Sequence, residues 1–314
     1  MTTRDRMRTQ MDRESRANRY YRNAVERHWD PHEIDLEADI ENFRSAPILE
    51  LDFGDEGAGG LEVGFDEFRR SIAKFGAGED AVTEDLAPFA VVLDDFDDQL
   101  FITTQLYEEA KHADFFDRYW HEVIHPIEDE LGWQRSDPRD ERWFDDAYLE
   151  LFERNERATE RLLTDDTPEN RADAFCHYHM TIEGVLAQSG YYGLTRLFGT
   201  DEFPVLPRLP GLTEGLASIR SDEGRHVGFG MAKLKGLVER GDVDPDALEA
   251  RLAELVDLVV TSLSTDDRPM NVGADVVDVP GYARRKHRER LDQIVDATAS
   301  VPDVETLTAV DDRR

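Results

Sequence analysis

Two stretches of this chain place a glutamate three residues before a histidine. "YEEAKHADFF", residues 107–116, holds Glu109 and His112; "SDEGRHVGFG", residues 221–230, holds Glu223 and His226. Residues three apart on a helix share a face, so each Glu and His can reach one metal ion together. The chain has nine histidines, and about one Glu-x-x-His is expected by chance at its glutamate content. Three occur: the third is Glu122/His125, inside "HEVIH", residues 121–125.

"HEVIH" matches the zinc-peptidase pattern, in which two histidines bind zinc and the glutamate is the base. It therefore names a different enzyme class and has to be weighed. It sits on the same expected helix as His112. His121 lies nine residues on, about 180° round an ideal helix from His112. If His112 faces a bundle interior, "HEVIH" faces outward, and it is read as accidental.

The other two pairs fall on separate long helices, so elements that bring them together are required. Apolar periodicity is helical almost throughout. Helices are expected over the leading charged segment before Pro31, over 32–43, from about Phe65 to Leu93 with a bend near Gly76–Gly78 and Pro88, and over 97–125, ended by Pro126. More are expected over 140–163, over 167–198 behind Thr167 and Pro168, over 211–241, and over 244–263. No strand ladder or internal repeat is evident. Residues 50–64 read as an acidic glycine-rich loop, and 299–314 as a loose acidic tail after one domain spanning 1–298, with its core at about 65–265. The fold class is all-α: a ferritin-like four-helix bundle with additional helices.

A dimetal carboxylate site in such a bundle needs two Glu-x-x-His pairs and one further glutamate from each of two other helices. Glu183 is a lone charge in apolar "MTIEGVLAQSGYYG". Glu79 lies in "FGAGEDAVTEDLAPFAVV", with Asp80 beside it as the alternative. A lone carboxylate among apolar residues is costly unless paired or metal-bound. Four carboxylates and two imidazoles suit two iron or manganese ions better than zinc or copper.

At these residues the chain resembles the ribonucleotide-reductase small-subunit superfamily, and most closely its ligand-binding oxidase branch with a manganese/iron site. The likeness runs from roughly residue 25 to 265 and includes "HWDPHEIDL", "GEDAVTEDLAPF", "TTQLYEEAKH", "IEGVLAQSGYY" and "DEGRH". It implies the ligands Glu79, Glu109, His112, Glu183, Glu223 and His226, holding Mn and Fe or two Fe. Glu79, Glu109 and His112 would serve mainly one metal and Glu183, Glu223 and His226 the other, with Glu109 bridging. A reductase subunit usually carries a radical tyrosine four residues after the first ligand histidine; here Phe116 stands there. It also needs a tyrosine near its C-terminus, and none follows Tyr282.

The oxidase branch joins a valine to a tyrosine through an ether formed during dioxygen activation, and the corresponding residues are Val82 and Tyr178. Tyr178 lies about 140° from Glu183 on an ideal helix, so spacing alone would not select it. The resemblance further implies a long-chain fatty-acid-like ligand with its carboxylate on the metals, an electron relay Trp29–Asp222–His112, and a homodimer. Two departures are visible, a short interval between Glu79 and Glu109 and the 50–64 insertion. The rival readings are a reductase small subunit without the radical tyrosine, a ferritin-like metal or peroxide buffer, and a zinc peptidase through "HEVIH".

Composition limits the partners. The net charge is −33, with only five lysines among 37 basic residues, and the acid is spread along the chain. Such a surface stays hydrated in strong salt, as a halophile's does, and it repels nucleic-acid phosphates. The single cysteine, Cys176, excludes an internal disulfide, fits a reducing cytoplasm, and reads as a core residue. No secretory signal is apparent at the N-terminus, and no apolar stretch is long enough to span a membrane.

Overall fold

The structure, a computed structural model, describes residues 11–50, 57–264, 277–296 and 298–309. Every regular element among them is helical. In chain order these are α1 (Arg16–Glu26), α2 (Glu37–Arg44), α3 (Gly57–Asp85), α4 (Ala87–Val92), α5 (Phe96–Tyr119), α6 (His125–Leu131), α7 (Asp146–Arg161), α8 (Pro168–Phe175), α9 (Gln188–Gly199), α10 (Pro210–Glu239), α11 (Pro245–Leu263), α12 (Val279–Val295) and α13 (Val304–Thr308). Two π-helical segments, Trp120–Ile124 and Cys176–Ala187, join α5 to α6 and α8 to α9.

The starts obey local chemistry. The side chains of Ser15, Asp95, Asp145, Thr167 and Asp244 each accept a hydrogen bond from an amide in the first turn they precede. Beyond the C-terminus of α10, Gly241 adopts φ +72°, which a residue with a Cβ rarely tolerates. Four long helical runs form the bundle: α3, α5, the α8–π–α9 run, and α10. α3 lies along α5, and α10 lies along the π segment and α9. α11 and α12 cover the π segment from outside.

Three expectations need correction. Helix α3 starts at Gly57, so 57–64 is helical and only 51–56 of the expected loop lies outside the described residues. It also runs unbroken past Gly76 and Gly78. A Cβ on Gly78 would sit 3.2 Å from both Phe152 and the Tyr148 hydroxyl, so this glycine admits α7 rather than breaking α3. Pro126 does not end the helical run. In the π turn before it, the amide of His125 bonds to Trp120 five residues back. Pro126 then falls in the first turn of α6, where its missing N–H leaves nothing unpaired.

The expected loose tail also differs. Within it α13 packs on α10, with Val304 and Leu307 buried and the Arg220 guanidinium donating to the Thr308 carbonyl at 2.6 Å. Helix α12, not expected at all, is held by the burial of Tyr282, Ala283 and Ile294.

Among the described residues the apolar interior divides into two large clusters along the bundle and a small third one around Tyr192, Val277 and Tyr282. One large cluster gathers Phe89, Phe101, Phe175, Phe229 and their neighbours; the other gathers Phe68, Phe115, Trp120 and Leu216. Close approach of α10 to the π segment depends on Gly230, where a Cβ would lie 2.3 Å from the Cβ of His179. That contact is backbone-near and cannot swing aside. Overpacking of this kind costs about 1–3 kcal/mol, against a helix-propensity gain of about 1 kcal/mol for Gly→Ala. Gly230→Ala should therefore lower unfolding free energy, by up to about 2 kcal/mol in urea titrations, whereas an exposed helix glycine changed to alanine should raise it.

Candidate metal centre

Glu79 comes from α3, Glu109 and His112 from α5, Glu183 from the π segment, and Glu223 and His226 from α10. All six are buried. Asp80, the alternative to Glu79, is exposed. The Nδ1 atom of His112 lies 3.3 Å from Glu109, 3.6 Å from Glu79 and 3.7 Å from Glu223. The Nδ1 atom of His226 lies 3.1 Å from Glu109, 3.4 Å from Glu223 and 3.5 Å from Glu183. Ligand atoms of Glu79, Glu109, His112 and Glu223 fall within 4.8 Å of one another, as do those of Glu109, Glu183 and His226. Glu109 and Glu223 each turn one oxygen to each histidine. The sequence reading made only Glu109 a bridge; the geometry gives Glu223 the same reach.

The donor set fits two cations. Glu109 Oε2, Glu183 Oε2, Glu223 Oε2 and the Nδ1 atoms of both histidines are buried without a hydrogen-bond partner, and all belong to residues of the two adjoining ligand clusters. Buried polar atoms are normally satisfied, so five orphans on these residues mark a binding site. The charges agree. Burial pushes the Glu79 carboxyl up to about 8 despite the His112 side chain beside it. Burial likewise raises Glu183 well above its ordinary range, and raises Glu223 with help from Glu109. Burial also works against a charged Glu109, but His226 and His112 outweigh it and hold that carboxyl well below the usual range. Four buried carboxylates cannot all ionise together without compensating positive charge.

Around these six lies a layer that orients them. The Nε2 atom of His112 donates to Asp222 Oδ2 at 3.1 Å, and that of His226 to Glu108 Oε2 at 2.8 Å. Each bond leaves Nδ1 pointing at the carboxylates, the usual arrangement for a metal-ligating imidazole. Arg225 ties the two orienting acids together, donating to Asp222 at 2.6 Å and Glu108 at 2.5 Å. The three residues named from sequence for a relay are in contact: Trp29 Nε1 donates to Asp222 Oδ2 at 2.8 Å, and the indole stacks on His112 at 6.2 Å between ring centroids. Gln105 donates to Glu183 at 2.7 Å and is held from behind by His179, 3.3 Å away. The Tyr191 hydroxyl lies 3.5 Å from Glu79 and 3.4 Å from Glu223.

Sequence reasoning missed Glu108, Arg225, Gln105 and Tyr191. For the first two a signal existed: Glu108 adjoins a ligand, and Arg225 is the charged residue between Glu223 and His226.

Val82 and Tyr178 are both buried in the same apolar cluster. The Tyr178 hydroxyl donates to Glu109 Oε1 at 3.2 Å. The ideal-helix angle that separated Tyr178 from Glu183 does not apply, because this stretch is π-helical. A helix closed by i→i+5 bonds stacks residues five apart, and Tyr178 and Glu183 are five apart. A cavity of about 250 Å³ takes its lining from Glu79, Glu109, Glu183, Glu223 and Val82 and from apolar side chains such as Phe68, Phe75, Ile182, Leu186 and Leu194.

Phe116 stacks on Phe75, which stacks on Tyr191. The "HEVIH" residues lie elsewhere: the side chains of His121 and Glu122 are about half exposed, and His121 and His125 bond to the carbonyls of Asp117 and Ser136. Cys176 is buried, and burial pushes its thiol up, away from nucleophilic use.

No protein-family model matches the chain. Solved structures do. A tyrosine-to-phenylalanine variant of an R2-like ligand-binding oxidase with aerobically reconstituted Mn/Fe cofactor aligns at TM-score 0.69 and 26% identity, covering 95% of this chain and 98% of that one. A glycine-to-phenylalanine variant with anaerobically reconstituted Mn/Fe cofactor aligns at TM-score 0.70 and 25% identity, covering 94% and 98%. The same substitution after aerobic reconstitution gives TM-score 0.67 and 26% identity, covering 93% and 100%. Across nearly its whole length the chain resembles R2-like ligand-binding oxidases.

Two outcomes follow for metal and proton binding. Glu79, Glu183, Glu223, His112 and His226 all keep their protons to higher pH in the folded chain than their ordinary values. Their contribution to stability is full below those values and is lost as pH rises, for Glu79 between 4.5 and about 8. The metal-free protein should melt at progressively lower temperature across that window, and anaerobic Mn(II) plus Fe(II) should raise Tm more at its alkaline end, as scanning calorimetry can read. His121→Ala should leave bound metal per chain unchanged by mass spectrometry of the metals, whereas His112→Ala should remove at least half.

Proposed function

We propose that this chain is a dioxygen-activating dimetal oxidase that performs two-electron oxidation beside a bound apolar ligand. The observation that carries the reading is the set of five orphaned buried donor atoms from three helical runs in the two adjoining ligand clusters, with Glu79 completing it from a fourth. Mn and Fe, or two Fe, held by Glu79, Glu109, His112, Glu183, Glu223 and His226 would supply dioxygen activation.

The protein's part is positioning and exclusion. Glu109 and Glu223 span the two imidazoles, and carboxylates in that position can shift coordination as the centre changes oxidation state. Asp222 and Glu108 fix the imidazole tautomers. The apolar cavity keeps water from the carboxylates and suits a long-chain fatty-acid-like ligand, its carboxylate toward the metals and its chain among Phe68, Phe75 and Leu194.

Tyr178 and Val82 are the residues we assign to record the oxidation; both are buried in one apolar cluster, and the Tyr178 hydroxyl donates to Glu109. Removal of the Tyr178 hydroxyl hydrogen and a Val82 Cβ hydrogen, two electrons in all to dioxygen, would join oxygen to carbon as an ether. Phe116 speaks against a reductase subunit that uses a radical tyrosine, so the reductase alternative is the tyrosine-less kind.

Protein loaded anaerobically with Mn(II) and Fe(II) should lose the mass of two hydrogens on exposure to air, mapping to the peptides that contain Val82 and Tyr178. Tyr178→Phe should abolish the loss while keeping both metals. Oxidised metals with no mass change in the wild type would favour the reductase subunit instead. Solvent extraction should release a long-chain acid, and an empty extract from fully metallated protein would count against the ligand.

A further inference from the structure

Lys111 has no role in the centre described above, yet it is buried at 6% exposure directly beside the relay. Its ammonium lies 4.5 Å above the centroid of the Trp29 indole and 3.0 Å from Asp222 Oδ2, the oxygen that also accepts the Trp29 N–H. The same ammonium is 5.8 Å from the ring of Tyr107, which is exposed. Trp29 is half-buried, so the indole stands between His112 and solvent.

A cation on the face of a neutral indole is attracted to its π-electrons. Once the indole loses an electron the attraction becomes repulsion between two positive charges at 4.5 Å. We infer that Lys111 is a positioning residue that holds Trp29 against one-electron oxidation, so that oxidising power generated at the metal centre stays there rather than escaping to the surface as a radical. This rests on the dimetal oxidase reading for its purpose, but not for its geometry.

The step that Lys111 opposes is simple to balance. Trp29 gives one electron to an oxidant, which is reduced by one electron. The indole becomes a radical cation and keeps its Nε1 proton. In the loaded protein the oxidised metal centre would be the oxidant, with Asp222 and His112 lying between it and the indole. At an effective dielectric constant of about 20, removing a unit charge at this distance shifts such an equilibrium on the order of a hundredfold or more, and its rate about tenfold.

The test uses the metal-free full chain and photogenerated tris(bipyridine)ruthenium(III) as one-electron oxidant. The readout is the transient absorbance of the indole radical cation that disappears in Trp29→Phe, which separates Trp29 from the three other tryptophans. Lys111→Met should speed formation of that signal about tenfold. Lys111→Gln, which keeps a donor for Asp222 without the charge, should match it, and Lys111→Arg should stay at the wild-type level. A merely structural role would make Gln and Arg behave alike. Equal rates in wild type, Met and Gln would overturn the inference, as would an Arg variant as fast as Met. Failure of the wild type to bind two metals would sink the oxidase reading and leave this result standing, so the two can fail separately.

Discussion

The structure turns on one electrostatic constraint: four carboxylates and two imidazoles are buried together on four helical runs, within a few ångströms of one another. No arrangement of protein charge alone satisfies them. Burial raises the carboxyls of Glu79, Glu183 and Glu223 above their ordinary range, while the histidines hold Glu109 below its own. The bundle supplies rigidity enough to hold this set in place, through close helix contacts such as α10 on the π segment and through the Asp222–Arg225–Glu108 bridge. That bridge has a further effect. One guanidinium connects the supports of both histidines, so the two supporting carboxylates share one positive charge. A change in charge at one is felt at the other through a buried chain of charge-assisted hydrogen bonds.

Much of this was legible in the sequence. The two Glu-x-x-His pairs announce themselves by spacing, and a lone glutamate in an apolar helix is costly enough to be noticed. Glu79 and Glu183 were found that way, and burial decides for Glu79 over Asp80. The wheel argument also separated "HEVIH" from the centre correctly, since a half-turn offset survives modest errors in helix geometry. The start of α8 followed from Thr167 and Pro168, whose capping chemistry is local.

What was not legible depended on neighbours or on departures from ideal helices. The π segment is the clearest case. An α-helical wheel places Tyr178 away from Glu183, and only i→i+5 closure brings them to one face. Nothing in "CHYHMTIEGVLA" marks that closure. Pro126 was read as a stop because the π turn ahead of it was equally invisible. Gly76 and Gly78 were read as a bend, but their bare backbones serve packing against α5 and α7. Gln105 and Tyr191 are ordinary helix residues in sequence and become functional neighbours only when separate helices meet. Helix α12 is rich in arginine and lysine, and its burial comes from a few apolar residues and from long side chains such as Lys286 and Arg290 laid along the core.

Helix α13 covers the very stretch of α10 that carries the second Glu-x-x-His pair. A Cβ on Gly224 would lie 2.5 Å from Thr308 Cγ2 and 2.8 Å from Val304 Cγ1, so the two segments meet backbone against side chain with no space between. Arg220 and Thr308 are 88 residues apart in the chain. During synthesis on the ribosome, the helix bearing Glu223 and His226 is thus complete long before its cover has left the exit tunnel. The nascent bundle spends that interval with this face of α10 uncovered, and the arrival of α13 closes it.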